Sequence, residues 1–352
     1  MLRFARAMFR GGTGGRLTSF AQDGALVLRY NARMIRLSIR RHLLPAAALA
    51  LLLLPAAVPA QSGSAPYVVA ETNRGFARLQ DAVDAIGDGE GTIRIAPGYH
   101  RQCAVQETGR IAFVAAEPGR AIFDGVACEE KAALVLRGRG ARIDGLVFQN
   151  MRVPDGNGAG IRLEQNDLEV VNSLFRGSEE GILTANDPGG SILIDRSTFS
   201  RLGRCDRGLS CAHSIYTGVY GRVTVTRTRF EKGSGGHYLK TRAAQVDIRD
   251  NSFDDSQGSA TNYMIDLPAG STGRIENNLF VQGRDKENYS AFIAVGAEDI
   301  ENPSRGLIIK ANRASLPQDI GRKSVFVADW TGEALAIGDN ELGPGLTRFE
   351  KR

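Results

Sequence analysis

The chain has 352 residues, 42% of them hydrophobic and 7% aromatic, with 42 Gly, four Cys and a formal net charge of +5. That apolar content excludes a disordered tail, and the length excludes a small domain held by disulfides alone, because a chain of this size buries a large core unaided. The basic balance belongs to the first 60 residues, which carry nine Arg against the single acid Asp23, whereas the other 292 carry 35 basic and 38 acidic side chains; charge is therefore no argument for nucleic acid or a membrane surface.

The segment from Met34 has a charged start (Arg36, Arg40, Arg41), an apolar run over residues 43–54, and a small-residue end, Val58-Pro59-Ala60, before Gln61. It reads as a secretory signal peptide over 34–60. The apolar run is too short to span a bilayer; the rival reading is a membrane anchor extending through Ala60. Residues 1–33 precede this second Met and read as an upstream extension. The mature chain, 61–352, is then a single domain, periplasmic or secreted, with no membrane span. All four cysteines lie in it, at 103, 128, 205 and 211, and an even count in an oxidising compartment predicts disulfides. With no C-x-x-C present, metal binding by cysteine is not expected.

Phe76, Leu79, Val83 and Ile86 have helical spacing, predicting a short amphipathic helix over 76–86. The glycines of 87–91 stop it. Thr92-Ile93-Arg94-Ile95-Ala96-Pro97-Gly98-Tyr99 then alternates as a strand and ends in a Pro-Gly turn. Beyond it, short β-branched strands recur between Gly, Asn and Asp turns, over 143–148, 170–175, 192–199, 223–230, 246–253 and 274–280. Each ends in Phe, and the Phe steps are 27, 24, 31, 23 and 27.

Self-similarity at a period near 25 predicts a solenoid. The step of 31 contains a Cys205–Cys211 insertion, which would close a short loop. The period is shorter than that of propeller blades and lacks a leucine-rich consensus. It fits an all-β fold, a single-stranded parallel β-helix whose coils bury Ile, Val, Leu and Phe against one another. Cys103 and Cys128, 25 residues apart, would then face each other on adjacent coils.

With the entry helix followed by residues 91–99, the chain over about 66–342 resembles the right-handed parallel β-helix enzymes of the pectate-lyase-like superfamily, in which such a helix caps the open end of the first coil. The resemblance implies a fold shared by bacterial, exported polysaccharide lyases, hydrolases, epimerases and non-catalytic binders. Neither the Ca²⁺-binding carboxylate cluster of pectate lyases nor the paired Asp pattern of polygalacturonases is present.

Four segments align within 211–295: His213-Ser-Ile-Tyr216, His237-Tyr-Leu-Lys240, Tyr263-Met-Ile-Asp266 and Tyr289-Ser-Ala-Phe292. Ile215, Leu239, Ile265 and Ala291 form an apolar column that must point inward. Strand alternation then sends Tyr216, Lys240, Arg242 and Asp266 outward on consecutive rungs, about 4.8 Å apart. By the same parity His213 and His237 reach that face only through a bend before Ile215 and Leu239, for which Gly235-Gly236 is suited. The mature chain holds only three His, at 100, 213 and 237, and two of them fall in register.

This set suits β-elimination on a uronic acid. Arg242 or Lys240 would neutralise the carboxylate beside C5; Tyr216, His237 or His213 would take the proton; Tyr216 or a protonated His would protonate the leaving oxygen. Asp266, Tyr263 and Tyr289 would contact substrate, and Asp266 would also balance Lys240. The scheme uses no metal and no cofactor, and the expected partner is an acidic polysaccharide or oligosaccharide bound by a monomer. The alternatives are a hydrolase using Glu164, Glu180 or Asp266, a uronate epimerase, a glycan-binding β-helix without activity, and a purely structural ladder with a solvated Lys240–Asp266 pair. Asn251, Asn277 and Asn278 read as a turn ladder. The glycines of 156–160 and 233–236 do not lead from a strand into a helix, so no phosphate loop is expected. Asp155, Asp167 and Asp187 lack a Ca²⁺ loop pattern, and no basic and aromatic stripe points to nucleic acid.

Overall fold

Short strands ended by tight turns bury their inner faces only by stacking on further copies of themselves. A computed structural model describes residues 65–352 and shows that solution: a right-handed parallel β-solenoid of about nine turns with coils of about 27 residues. The signal peptide read over 34–60 and the extension 1–33 lie outside the described residues. Among the described residues no helix is long and apolar enough to cross a membrane.

Each coil contributes one strand to each of three sheets, of twelve, ten and ten strands. The first sheet starts antiparallel, Tyr67–Val69 pairing with both Arg74–Phe76 and Glu90–Ile95, and is parallel from there on. The helix is Leu79–Ile86, not 76–86. Phe76 keeps its place in the core but ends a strand, because Asn73 in the left-handed region (φ 53°) turns the chain back on Tyr67–Val69. Leu79, Ala82 and Val83 bury the helix against the first coil.

The repeated phenylalanines are the spine. Phe123, Phe148, Phe175, Phe199, Phe230, Phe253 and Phe280 stack with centroids 4.6 to 5.4 Å apart and planes within 15° of parallel. His100 continues the column at its start. Its Nε2–H donates to the Ala96 carbonyl at 2.8 Å, so its Nδ1 accepts from the Tyr67 hydroxyl at 2.9 Å. This fully engaged histidine is a packing residue.

Corners between the first and second sheets repeat a two-residue device. One residue takes positive φ (Asn172, Arg196, Arg227, Asp250, Asn277 and Ala311 on successive coils), and the next turns its side chain inward. Ser173, Ser197, Thr228, Asn251, Asn278, Asn312 and Asn340 form that inner ladder. In its asparagine part each Nδ2 donates to a carbonyl of the preceding coil at 2.9 Å, while Oδ1 accepts the backbone N–H of the residue above. Asn277 is a corner residue rather than a rung. Asn278→Ala would strand the Asn251 N–H and the Ile248 carbonyl, and should lower stability by about 3 kcal/mol in urea denaturation.

Both cysteine pairs, Cys103–Cys128 and Cys205–Cys211, are disulfides, and among the described residues none is free. The first joins adjacent coils. Both fit an oxidising compartment.

Candidate functional site

In the third sheet, Tyr238 and Leu239 both enter the core, as do Met264 with Ile265 and Phe292 with Ile293. Two consecutive inward residues break the alternation, so the residues flanking each pair both point outward. This is the bend that His237 needs to share a face with Lys240. Gly236 permits it: its φ is 62°, and a Cβ there would lie 2.1 Å from the Ala212 carbonyl oxygen and 2.7 Å from His213 Nδ1.

Two outward columns result. Tyr216, Lys240 and Asp266 pair directly across coils. Beside them His213 stacks on His237 (centroids 4.9 Å) and His237 on Tyr263 (5.4 Å), while His213 meets Tyr216 edge-on at 5.5 Å. The fourth aligned row is displaced by two residues. Ile265 pairs with Ile293 and Asp266 with Ala294, so Ala291, not Tyr289, continues the histidine column, and Ile293, not Ala291, continues the inner one. The cause is extra chain between Lys286, which still bridges to Thr261 on the preceding coil, and Ala291; Lys286 itself is buried against Asp255 at 3.0 Å. Tyr289 is left half exposed with Arg322 over its ring at 4.8 Å, away from the columns.

Lys240 and Asp266 are not a solvated pair: they are 9% and 3% exposed. A loop outside the repeat covers this end of the site, with the N–H groups of Glu298 and Asn302 bonded to the carbonyls of Pro268 and Ala269. Its Glu298 carboxylate bridges two cations, Lys240 Nζ at 2.5 Å and Arg242 Nη2. Lys240 also lies 3.5 Å from Asp266 Oδ2 and 5.5 Å from the Tyr216 ring centroid. Arg242 Nε donates to the Tyr216 hydroxyl at 3.2 Å, which leaves the phenolic hydrogen free to be donated elsewhere.

Burial sets the protonation states here. His213 is pushed down to about 3 by desolvation, helped by Lys240. Its Nδ1 accepts the His237 backbone N–H at 3.0 Å, so the neutral ring carries its proton on Nε2. His237, desolvated and next to His213 and Lys240, is lowered well below the usual imidazole range; its Nε2 is 3.5 Å from Asp266 Oδ2. Burial raises Asp266 to about 6 against the opposing pull of Lys240.

A carboxyl raised on folding holds its proton more tightly in the folded state. Its stabilising contribution is present below the unfolded value of 3.8 and is lost as pH rises to about 6, a change of about 3 kcal/mol. Asp266→Asn should therefore raise the melting temperature at pH 7 and leave it almost unchanged near pH 3, as calorimetry at both pH values would show.

Sequence reasoning did not place three charged residues here. Glu180 begins Glu180-Gly-Ile-Leu, a further row of the same pattern, hidden because the Cys205–Cys211 insertion lengthens its step to His213. Buried against His213, whose N–H reaches its Oε1 at 3.3 Å, it is pushed well above the carboxylate range. Arg162, one coil earlier, pairs with Glu164 at 3.1 Å. Glu298 left no signal, since its loop is not part of the repeat. The insertion itself abuts the site: Cys205 Sγ accepts the Gly236 N–H at 3.2 Å.

The carboxyls considered for a hydrolase do not pair. Glu180 and Asp266 are three coils apart, about 14 Å, beyond either glycosidase spacing. Glu164 is engaged by Lys131 and Arg162.

Searches of the curated proteins and of the solved structures each return no match. The family model described as the right handed beta helix region matches residues 132–312, just over half of the chain and all of the site from Glu180 to Glu298. The chain belongs to the right-handed beta helix family.

Proposed function

We propose that this protein is an exported polysaccharide lyase that cleaves a uronate-containing polysaccharide by β-elimination. The observation that carries the reading is a contrast between two ladders of polar residues in one solenoid. The asparagine ladder engages its amide groups. The outward ladder leaves Glu180 Oε2, His237 Nδ1 and Asp266 Oδ1 buried without a partner. Buried polar atoms are normally paired, and two unpaired ones on neighbouring coils, His237 Nδ1 and Asp266 Oδ1, beside two cations and a free phenolic hydrogen are the pattern of a reaction site.

In the proposed reaction Lys240 and Arg242 hold the uronate carboxylate and draw off charge as C5 loses its proton. His237, uncharged, takes that proton, and the imidazolium formed faces Asp266. The C5–H electrons form the C4–C5 double bond, the C4–O bond breaks, and Tyr216 donates its proton to the departing oxygen. His213, its Nδ1 occupied, positions His237. The resemblance to pectate-lyase-like enzymes supports the same class.

The test is ultraviolet absorbance of unsaturated uronate when residues 61–352 are incubated with a panel of acidic polysaccharides, with and without chelator. A rise is expected. A flat trace across the panel, with new reducing ends released, would replace this reading with a hydrolase.

A further inference from the structure

Among the described residues, Glu298 is the acidic group at the site that comes from outside the coils. Its two carboxylate oxygens engage two different cations, Oε1 with Lys240 and Oε2 with Arg242. The cations are rooted in the third sheet and its margin, their side chains only 11% and 19% exposed, whereas the Glu298 side chain is 41% exposed. Lys240 is held from behind by Asp266 and the Tyr216 ring, Arg242 by the Tyr216 hydroxyl. The loop backbone is fixed separately through Pro268 and Ala269. The carboxylate thus lies on the solvent side of its partners and can leave by side-chain rotation alone, and a half-exposed ion pair resists such exchange weakly.

We infer that Lys240 and Arg242 form a two-point carboxylate subsite for a hexuronate, and that Glu298 occupies it in the resting protein and determines which ligands are admitted. The inference rests on the proposed role of these two cations. A ligand must replace one carboxylate with another, so the charge at the cations is unchanged and the gain in affinity comes from the rest of the sugar. Neutral sugars gain no entry. Affinity is reduced by the fraction of molecules in which Glu298 is seated.

Calorimetric titration of residues 61–352 with D-glucuronate, D-galacturonate and D-glucose tests this. If Glu298 is seated in nine molecules of ten, Glu298→Gln should bind one or both hexuronates about tenfold more tightly than the unaltered chain. Lys240→Met should lose that binding, and glucose should bind none of them. Unchanged or weaker hexuronate binding by Glu298→Gln would overturn the inference. On the unaltered chain, carbon NMR of the Glu298 carboxyl gives a second readout: its resonance should shift on saturation with a hexuronate, and a static resonance would also overturn it. Neither measurement needs turnover. Tighter uronate binding with no unsaturated product would sink the lyase and leave the subsite standing; turnover without the gain in binding would do the reverse.

Discussion

Lys240→Met is expected to lower kcat/KM for the elimination about 10³-fold, the scale on which loss of a fixed charge at a developing anion is felt. The methionine keeps the unbranched stem and removes only the ammonium. Two consequences are separable. The substrate carboxylate loses one of its two cations, which removes transition-state stabilisation. Asp266, 3% exposed and 3.5 Å from Lys240 Nζ, also loses its counter-charge, which destabilises the fold at neutral pH. A Lys240→Met/Asp266→Asn double variant resolves them: it should recover the melting temperature and stay inactive in the absorbance assay. Full activity in Lys240→Met would remove Lys240 from the mechanism.

Asp255→Ala is expected to cost about 3–5 kcal/mol in urea denaturation, the range for breaking a buried ion pair on one side. Asp255 is fully buried and accepts from Tyr238 Oη at 2.7 Å, Thr261 Oγ1 at 2.9 Å and the Gly283 N–H at 3.0 Å, with Lys286 Nζ at 3.0 Å. Its removal strands an ammonium whose side chain is 1% exposed. Adding Lys286→Met should return a large part of the loss, because a missing pair costs less than an orphaned charge. Tyr238 is the inward residue next to His237, so the double variant should remain slow even where it is folded. A loss below about 1 kcal/mol in the single variant would show that the interior around Lys286 takes up water.

The solenoid was legible because its core must repeat. A buried aromatic on each coil has to meet the next, and the phenylalanine steps report that necessity directly. The bend at Gly235-Gly236 was legible for a similar reason: His237 and Lys240 share a face only if parity is broken, and two adjacent glycines are where a chain can break it. What could not be read lies where the repeat is interrupted. Tyr289 does not fall where its spacing puts it, because the chain added between Lys286 and Ala291 has no counterpart on the preceding coil. Glu180 fell out of register behind the Cys205–Cys211 insertion. Exposure is not legible either. Alternation tells which side of the sheet Lys240 and Asp266 occupy, but not that a loop folds over them, since that loop contributes nothing to the period. Phe76 shows a further limit, because three apolar positions of a helix and the end of a strand before it satisfy the same spacing.

The paired inward residues also govern how the site can move. His237 is bonded to Tyr238 and Lys240 to Leu239, and both neighbours are locked in the core. The backbone beneath these groups can open only as the surrounding coils open, which places it among the slowest amide-exchanging parts of the molecule. Breathing of the reactive groups is thereby confined to rotation about side-chain bonds. The Glu298 loop and the Cys205–Cys211 insertion lie outside that restraint, and they are where slower motion beside the site can arise.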